Sequence, residues 1–93
     1  IPPPGLGTMI IDNYSYNHIA VYVDGFLQAQ IAHDHEKTPY DLRPGVYRVV
    51  LEERGGQRNF RSNIDILSGR LTIIEIFEDP HNWTRYHGVL FFD

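Results

Sequence analysis

The sequence predicts a small all-β domain, an antiparallel β-sandwich. Apolar and polar side chains alternate with period two in successive short stretches, turn residues recur at intervals of roughly eight to twelve residues, and no stretch favours the helical period. The 93 residues are enough for one domain. A hydrophobic fraction of 42% excludes an intrinsically disordered chain.

The chain opens with a proline-rich segment, IPPPGLG at residues 1–7. We expect it to be a linker in the extended polyproline II conformation. A short strand is predicted at residues 8–12, and residues 13–17 have the composition of a turn. Because the sequence begins with isoleucine and not methionine, we expect any export signal to lie upstream.

The clearest local prediction is a β-hairpin centred on Asp24-Gly25. Residues 18–23 alternate, with three β-branched side chains on one face. Asp-Gly suits a two-residue type I′ turn, because both central residues of that turn need a positive φ. Residues 26–31 supply the returning strand.

From residue 32 to residue 78 the sequence predicts further strands joined by a loop and turns. Residues 32–38 are polar and are predicted to be a loop. Pro44-Gly45 fits the two central positions of a type II turn, since proline presets φ and glycine accepts a positive φ. Strands are predicted at residues 40–42, 46–53, 58–67 and 71–78, with turns at 54–57 and 68–70.

The last fifteen residues have a different composition. Residues 79–93 are rich in aromatic side chains, and a strand is predicted at residues 88–92. We expect it to be one extra strand at the edge of a sheet, with pairing to another molecule as the alternative. The chain therefore divides into a Pro-rich linker at 1–7, a β-sandwich at 8–78 and an aromatic extension at 79–93.

Several stretches of the 8–78 segment together resemble the PEGA domain. The family pairs a V-x-V-D-G hairpin with a T-P-x-x-L segment and a P-G-x-[HY]-x-V-x-[VL] strand, and it closes with another hairpin. The matching stretches are VYVDG at 21–25, TPYDL at 38–42, RPGVYRVVL at 43–51, and the two strands and turn within 63–76. Two departures stand out: YNHI at 16–19 replaces the motif that names the family, and the segment 26–37 is longer than usual.

The resemblance implies a transthyretin-like sandwich without catalytic activity. Such modules are found in exported bacterial and archaeal envelope proteins, which implies a periplasmic, cell-surface or secreted location. It also implies contact with another protein, with another domain of the parent chain, or with envelope polysaccharide.

His33 and His35 are the best metal-ligand candidates. On a strand they would project to the same side, where neutral imidazoles could hold zinc or copper, with His81 or His87 as a third ligand. No ligand pair has the spacing of a known zinc motif, and the chain has no cysteine. A solvated polar loop explains the segment more simply, so we predict no metal ion and no cofactor.

The carboxylates do not form an obvious catalytic pair. Glu52 and Glu53 are adjacent on a strand and therefore point to opposite faces. Glu75 is expected to pair across strands with Arg48 or Arg61. The sequence has no nucleophile elbow and no phosphate-binding loop. We predict that the chain is not an enzyme.

Aromatic side chains are the main binding candidates. Their faces stack on sugar rings and anchor protein interfaces, while packing in the core is the alternative for each of them. Interface and core are equal alternatives for the single tryptophan. The candidates are Trp83, Tyr86, Tyr22, Tyr40 and Phe91.

Charge and hydropathy exclude two kinds of partner. The net charge is −4 and the eight basic residues are scattered, so the chain has no surface suited to nucleic acid. The longest apolar runs are four or five residues, too short to insert into a membrane. We expect a non-catalytic protein-interaction module, with carbohydrate binding as the alternative and metal binding at the His33/His35 loop as a third possibility.

Overall fold

The computed structural model describes residues 2–33 and 36–93, and for Glu36 it describes the backbone only. Over these residues the chain is all-β, with 64% of residues in strands and no helix. Within the same ranges, no helix is long and apolar enough to cross a lipid bilayer. The strands are β1 (Gly7–Asn13), β2 (Ile19–Val23), β3 (Phe26–Ile31), β4 (Glu36–Leu42), β5 (Gly45–Glu53), β6 (Asn59–Ile66), β7 (Leu71–Glu78) and β8 (Tyr86–Phe92).

The strands form two four-stranded sheets. Sheet A has the order β4-β1-β7-β8 and sheet B the order β3-β2-β5-β6. Neighbouring strands are antiparallel except β1 and β7, which run parallel. One apolar core lies between the sheets, so the prediction of an all-β, sandwich-like fold is confirmed. The expectation that it would be wholly antiparallel is wrong, because β1 and β7 pair in parallel at the centre of sheet A. The core residues are Met9, Ile11, Ile19, Val21, Val23, Ile31, Val49, Leu51, Ile64, Ile66, Ile74, Ile76 and Tyr86.

The period-two alternation of the sequence determines which side chains point into the core. In β2, Ile19, Val21 and Val23 are buried, while Ala20 and Tyr22 lie half-buried on the outer face of sheet B. Full burial of a valine or isoleucine side chain contributes roughly 1.5–3 kcal/mol. The same alternation operates in β5, β6 and β7.

The hairpin at Asp24-Gly25 is confirmed. Both residues have positive φ, 50° for Asp24 and 85° for Gly25, as a type I′ turn requires. Asp24 Oδ1 also accepts a hydrogen bond of 2.8 Å from the backbone N–H of Arg48. The turn is therefore attached to β5 as well as to its own two strands.

The type II turn predicted at Pro44-Gly45 is wrong. Gly45 is the first residue of β5 and has a φ of 157°, far from the value of about 80° that such a turn needs. Because β4 lies in sheet A and β5 in sheet B, the chain here crosses between sheets instead of reversing within one. The hydroxyl of Tyr47 fixes this corner by donating to the carbonyl oxygen of Arg43 at 2.7 Å.

A turn of that kind occurs instead near the N-terminus. The N–H of Leu6 donates to the carbonyl oxygen of Pro3 at 3.0 Å, and Gly5 has a φ of 79°. Residues 3–6 therefore fold back, whereas an extended polyproline conformation was expected. Gly69 N–H donates to the carbonyl oxygen of Leu6 at 2.9 Å, which ties this segment to the β6–β7 turn.

β4 and β8 begin earlier than the sequence suggested. β4 begins at Glu36, inside the predicted polar loop, because it pairs with the full length of β1. It contains Pro39, which an edge strand tolerates since its missing N–H need not serve a ladder. β8 begins at Tyr86, two positions before the predicted start, and lies at the edge of sheet A beside β7.

Asn13 is a fully buried polar residue at the end of β1. Its Nδ2 donates to the carbonyl oxygens of Asn17 at 2.9 Å and Ala32 at 3.1 Å. Its Oδ1 accepts from both the N–H and the hydroxyl of Ser15, at 2.9 and 2.6 Å. One side chain thus organises the β1–β2 connection and joins it to the end of β3.

Candidate functional site

Two strongly exposed aromatic side chains lie in the connections β1–β2 and β7–β8. Tyr16 is 78% exposed and Trp83 is 76% exposed. The guanidinium carbon of Arg58 lies 4.9 Å from the centroid of the Trp83 ring, within the range of a cation–π contact. Most of the indole surface nevertheless remains open to solvent.

Glu78, the last residue of β7, connects these two aromatic residues. Its Oε1 accepts a hydrogen bond of 2.9 Å from the backbone N–H of Tyr16, and its Oε2 pairs with Nη1 of Arg58. The ion pair is largely shielded from water, since the side chains of Arg58 and Glu78 are 16% and 20% exposed. We call Tyr16, Arg58, Glu78 and Trp83 the Glu78 cluster.

The connection from β7 to β8 is held by side-chain hydrogen bonds. Asp79 Oδ1 accepts from the N–H of His81 at 2.9 Å. Asn82 Oδ1 accepts from the N–H and the hydroxyl of Thr84 at 2.9 and 2.6 Å. The N–H of Asn59 donates to the carbonyl oxygen of Thr84, which ties the connection to sheet B. Asx-type turns of this kind present the indole from an ordered loop.

The second candidate feature is the backbone at the free edge of β8. Leu71 and Asp93 exchange two backbone hydrogen bonds of 2.9 Å, which makes them a hydrogen-bonded pair of the antiparallel β7–β8 ladder. Such pairs alternate along a ladder, so the N–H and C=O groups of every second residue point away from β7. These residues are Tyr86, Gly88, Leu90 and Phe92. We call the row they form the β8 edge.

The β8 edge is apolar as well as open. No lysine, arginine, aspartate, glutamate or proline occurs in β8. Within the described ranges, the outward backbone groups of Gly88, Leu90 and Phe92 make no backbone hydrogen bond, whereas Tyr86 adjoins the parallel bridge between Asn59 and Arg85. The side chains of Val89, Leu90, Phe91 and Phe92 are between 38% and 41% exposed.

The edge strands β3, β4 and β6 have features that oppose pairing with an added strand. β4 contains Lys37 and Pro39, and β6 contains Arg61 and Asp65. β3 pairs with β2 through a bulge that interrupts its register. Charges, proline and bulges are the usual protections of an edge strand, and β8 has none of them.

The five aromatic candidates do not form one site. Trp83 belongs to the Glu78 cluster, and Phe91 is 40% exposed on the outer face of β8. Tyr86 is a core residue, 3% exposed, so it offers no surface to a ligand, and burial raises the pKa of its hydroxyl. Tyr22 lies half-buried on the outer face of sheet B, while Tyr40 packs against the core from β4.

The histidine candidates are not gathered into a metal site in the described part of the chain. His33 is exposed and its ring lies edge-on to that of His18, with centroids 5.1 Å apart. His35 lies outside the described residues. His81 and His87 belong to the β7–β8 connection and to β8. Among residues 2–33 and 36–93, no three histidine, aspartate or glutamate side chains are grouped as metal ligands.

The cross-strand pair expected for Glu75 is wrong. Arg48 and Arg61 lie on β5 and β6 in sheet B, whereas Glu75 lies on β7 in sheet A. Its neighbour on the parallel strand β1 is Asp12. The alternation placed Glu75 on the correct face of its strand, but it could not show which strands belong to which sheet.

Asp12 is the centre of a polar group on the outer face of sheet A. It is 2% exposed, and its Oδ2 lies 3.7 Å from Nζ of Lys37. A hydrogen bond with Asp12 raises the pKa of the Tyr14 hydroxyl, with smaller contributions from desolvation and from the charges of Asp12 and Glu75. Tyr14 also stacks on Phe77, with ring centroids 4.8 Å apart. These contacts shield the Asp12 carboxylate from water on the outer face of sheet A.

No protein-family model matches the chain, and no curated protein or solved structure matches it either. The two sheets and their shared core define a small all-β, sandwich-like protein. Its two distinctive surface features are the Glu78 cluster and the β8 edge.

Proposed function

We propose that the chain is a non-catalytic protein-interaction module of the PEGA type, from an exported bacterial protein, and that its partner binds as an added strand along the β8 edge. The open and uncharged β8 edge carries this proposal. The PEGA assignment and the exported location rest on the motifs at residues 21–25, 38–42 and 43–51.

Strand addition fits the chemistry of this edge. The backbone groups of Gly88, Leu90 and Phe92 supply up to three donors and three acceptors in a row. Exposed apolar side chains on both faces of β8 would be covered by the side chains of an added strand. Affinity would come from the backbone ladder, and selectivity from side-chain contacts with Val89 and Phe91.

A strand peptide tests this proposal directly. The probe is a synthetic peptide of alternating valine and threonine with a lysine at each end, titrated into the isotopically labelled chain. We expect the amide resonances of Gly88, Leu90 and Phe92 to shift most, because the amides of Val89 and Phe91 are already bonded to β7. Shifts confined to another edge, or no shift at millimolar peptide, would contradict the proposal.

Two substitutions at Leu90 distinguish the contribution of its backbone N–H to peptide binding from that of its side chain. Leu90→Pro removes an N–H that points to the open edge, so β7 pairing is preserved and peptide binding is lost. Leu90→Ala keeps that N–H and is expected to retain binding. Circular dichroism of both variants checks that the sheet content is unchanged.

Carbohydrate binding by the Glu78 cluster is the second candidate function. Tyr16 and Trp83 are both more than three-quarters exposed, and each is anchored through Glu78. Ordered aromatic faces beside a charged hydrogen-bonding group suit the stacking of a sugar ring. The polysaccharide of a cell envelope would be the ligand in an exported protein.

Tryptophan fluorescence tests the carbohydrate candidate, because Trp83 is the single tryptophan of the chain. Titration with soluble peptidoglycan fragments is expected to change its emission, and Tyr16→Ala is expected to weaken the binding at least tenfold. Tyr22→Ala, on the outer face of sheet B, is the matched control and should leave it unchanged. An emission that stays constant at saturating sugar concentrations would rule this candidate out.

A further inference from the structure

Two arginine side chains project from the outer face of sheet B. Arg48 on β5 pairs with Asn63 on β6, and Arg61 lies two residues before Asn63 on the same strand. Arg61 and Asn63 alternate with inward-facing residues of β6, so both point away from the core, and all three polar side chains are exposed. None of the three belongs to the β8 edge or to the Glu78 cluster.

The register of β5 and β6 brings Arg48 and Asn63 close together. The N–H of Arg48 donates to Oδ1 of Asp24, and its carbonyl oxygen accepts from the N–H of Asp24, both at 2.8 Å. Because these backbone groups point to the β2–β3 turn, Arg48 and Asn63 are a non-hydrogen-bonded pair, in which the Cα atoms lie about 4.5 Å apart. The two side chains therefore start from neighbouring positions, with Arg61 next along β6.

These residues surround a small open depression. Arg48, Arg61, Ser62 and Asn63 line a volume of about 210 Å³. A water molecule takes up about 30 Å³ of the liquid, so the depression has room for one small ion with part of its hydration water. The donors around it are two guanidinium groups, one amide and one hydroxyl. This chemistry suits an anion.

Neither guanidinium group is neutralised within the part of the chain that the structure describes. The ion pairs there involve Lys37 and Arg58, and not these two arginines. Nε of Arg61 donates to Oδ1 of Asn59 at 3.3 Å, which leaves the two Nη groups of Arg61 to face the depression or the solvent. In a chain with a net charge of −4, two adjacent unneutralised arginines form a local positive patch.

We propose that Arg48, Arg61 and Asn63 bind a phosphate group, at what we call the Arg48 site. Each planar guanidinium offers paired N–H donors that match two oxygen atoms of a phosphate, and the amide of Asn63 supplies a further donor. A phosphate monoester carries a charge of about −1.5 to −2 at neutral pH, which two arginines balance. The inference is independent of the proposed function, because it concerns another surface of the chain.

Titration of inorganic phosphate into the isotopically labelled chain tests the Arg48 site. At about pH 8 most of the phosphate is doubly charged, and sodium chloride keeps the ionic strength constant. We expect the resonances of Arg48, Arg61 and Asn63 to shift together and to saturate at millimolar phosphate. Arg48→Gln and Arg61→Gln should each weaken binding about tenfold, because each removes a charge-assisted donor. Arg43→Gln, at an exposed arginine outside the site, is the matched control and should leave the affinity unchanged.

Asp65→Asn makes the opposite change to the charge of the site. Asp65 lies on the same face of β6, diagonally across the ladder from Arg48. Removing its negative charge is expected to strengthen phosphate binding, and the same titration measures the change. A variant that binds phosphate more weakly than the unmodified chain would contradict the electrostatic basis of the site.

Two further ligands define the anion. Glycerol 3-phosphate that binds as tightly as inorganic phosphate would assign the site to a phosphate monoester of a larger molecule, whereas weaker binding would assign it to the free ion. Acetate, with its single charge, is expected to bind several-fold more weakly than phosphate. The inference is wrong if phosphate shifts none of the three residues, if Arg48→Gln and Arg43→Gln bind it equally, or if acetate binds as tightly.

Discussion

Replacing Asn13 with alanine is expected to lower the free energy of unfolding by about 3 kcal/mol. The substitution removes the donor to the carbonyl oxygens of Asn17 and Ala32 and the acceptor for the N–H and hydroxyl of Ser15. The Ser15 hydroxyl keeps its hydrogen bond of 3.1 Å to the Asn17 carbonyl oxygen, but the buried Ser15 N–H loses its acceptor. Each buried polar group left unpaired costs about 1–3 kcal/mol. Urea unfolding followed by circular dichroism measures the loss.

Two further variants make the Asn13 result specific. Asn63→Ala, on the exposed face of β6, is the control and should change stability by no more than about 0.5 kcal/mol. Asn13→Asp keeps the shape but replaces the two N–H donors with a buried carboxylate, so it should be at least as unstable as Asn13→Ala at neutral pH. Equal stabilities for Asn13→Ala and Asn63→Ala would show that the hydrogen bonds of Asn13 are not needed.

Gly7→Ala is expected to destabilise the chain by about 3 kcal/mol through overpacking. Gly7 is buried at the start of β1, and an added Cβ would meet the carbonyl oxygen of Leu67 and lie 2.6 Å from Cγ2 of Ile66. The Leu67 carbonyl cannot move freely, because it accepts a hydrogen bond of 3.1 Å from Arg70 in the β6–β7 turn. Thermal and urea unfolding should both report the loss.

Gly56→Ala is the matched control for Gly7→Ala. There the three atoms nearest to the added Cβ belong to the carboxylate of Glu53, a side-chain end that can rotate away at the cost of its hydrogen bond of 3.2 Å from the Arg58 N–H. The expected loss is below about 1 kcal/mol, so the difference between the variants isolates the collision with a fixed backbone. If both variants unfold at the same urea concentration, the close approach at Gly7 carries no strain.

The strands could be predicted from the sequence because alternation is a local property. The Asp24-Gly25 turn and the buried faces of β2, β5 and β6 follow from residue types alone. Sheet membership could not be predicted this way, since it depends on pairing between distant segments. The wrong partners for Glu75 and the wrong turn at Pro44-Gly45 both follow from that limit.

The candidate site shows the same division. Trp83 could be selected from the sequence because it is the single tryptophan and lies in the aromatic segment 79–93. Its contact with Arg58 could not be predicted, because the β5–β6 and β7–β8 connections come together only in the folded chain. Tyr16 was not selected, and the polar segment around it, residues 13–17, was the available signal. Tyr86 was selected as a ligand contact, although the extra two residues of β8 carry it into the core. The sequence shows that β8 contains no lysine, arginine, aspartate or glutamate. This absence indicates an unprotected edge only because the structure places β8 at the edge of sheet A.

The parallel pairing of β1 with β7 has a consequence for how the chain acquires its structure. Sheet B consists of two hairpins joined through β2 and β5, so its contacts become available as soon as β6 has been synthesised. The centre of sheet A instead joins the first strand to the seventh and cannot close until β7 has left the ribosome. During translation, the apolar faces of β1 and of sheet B are therefore expected to stay uncovered until β7 has emerged.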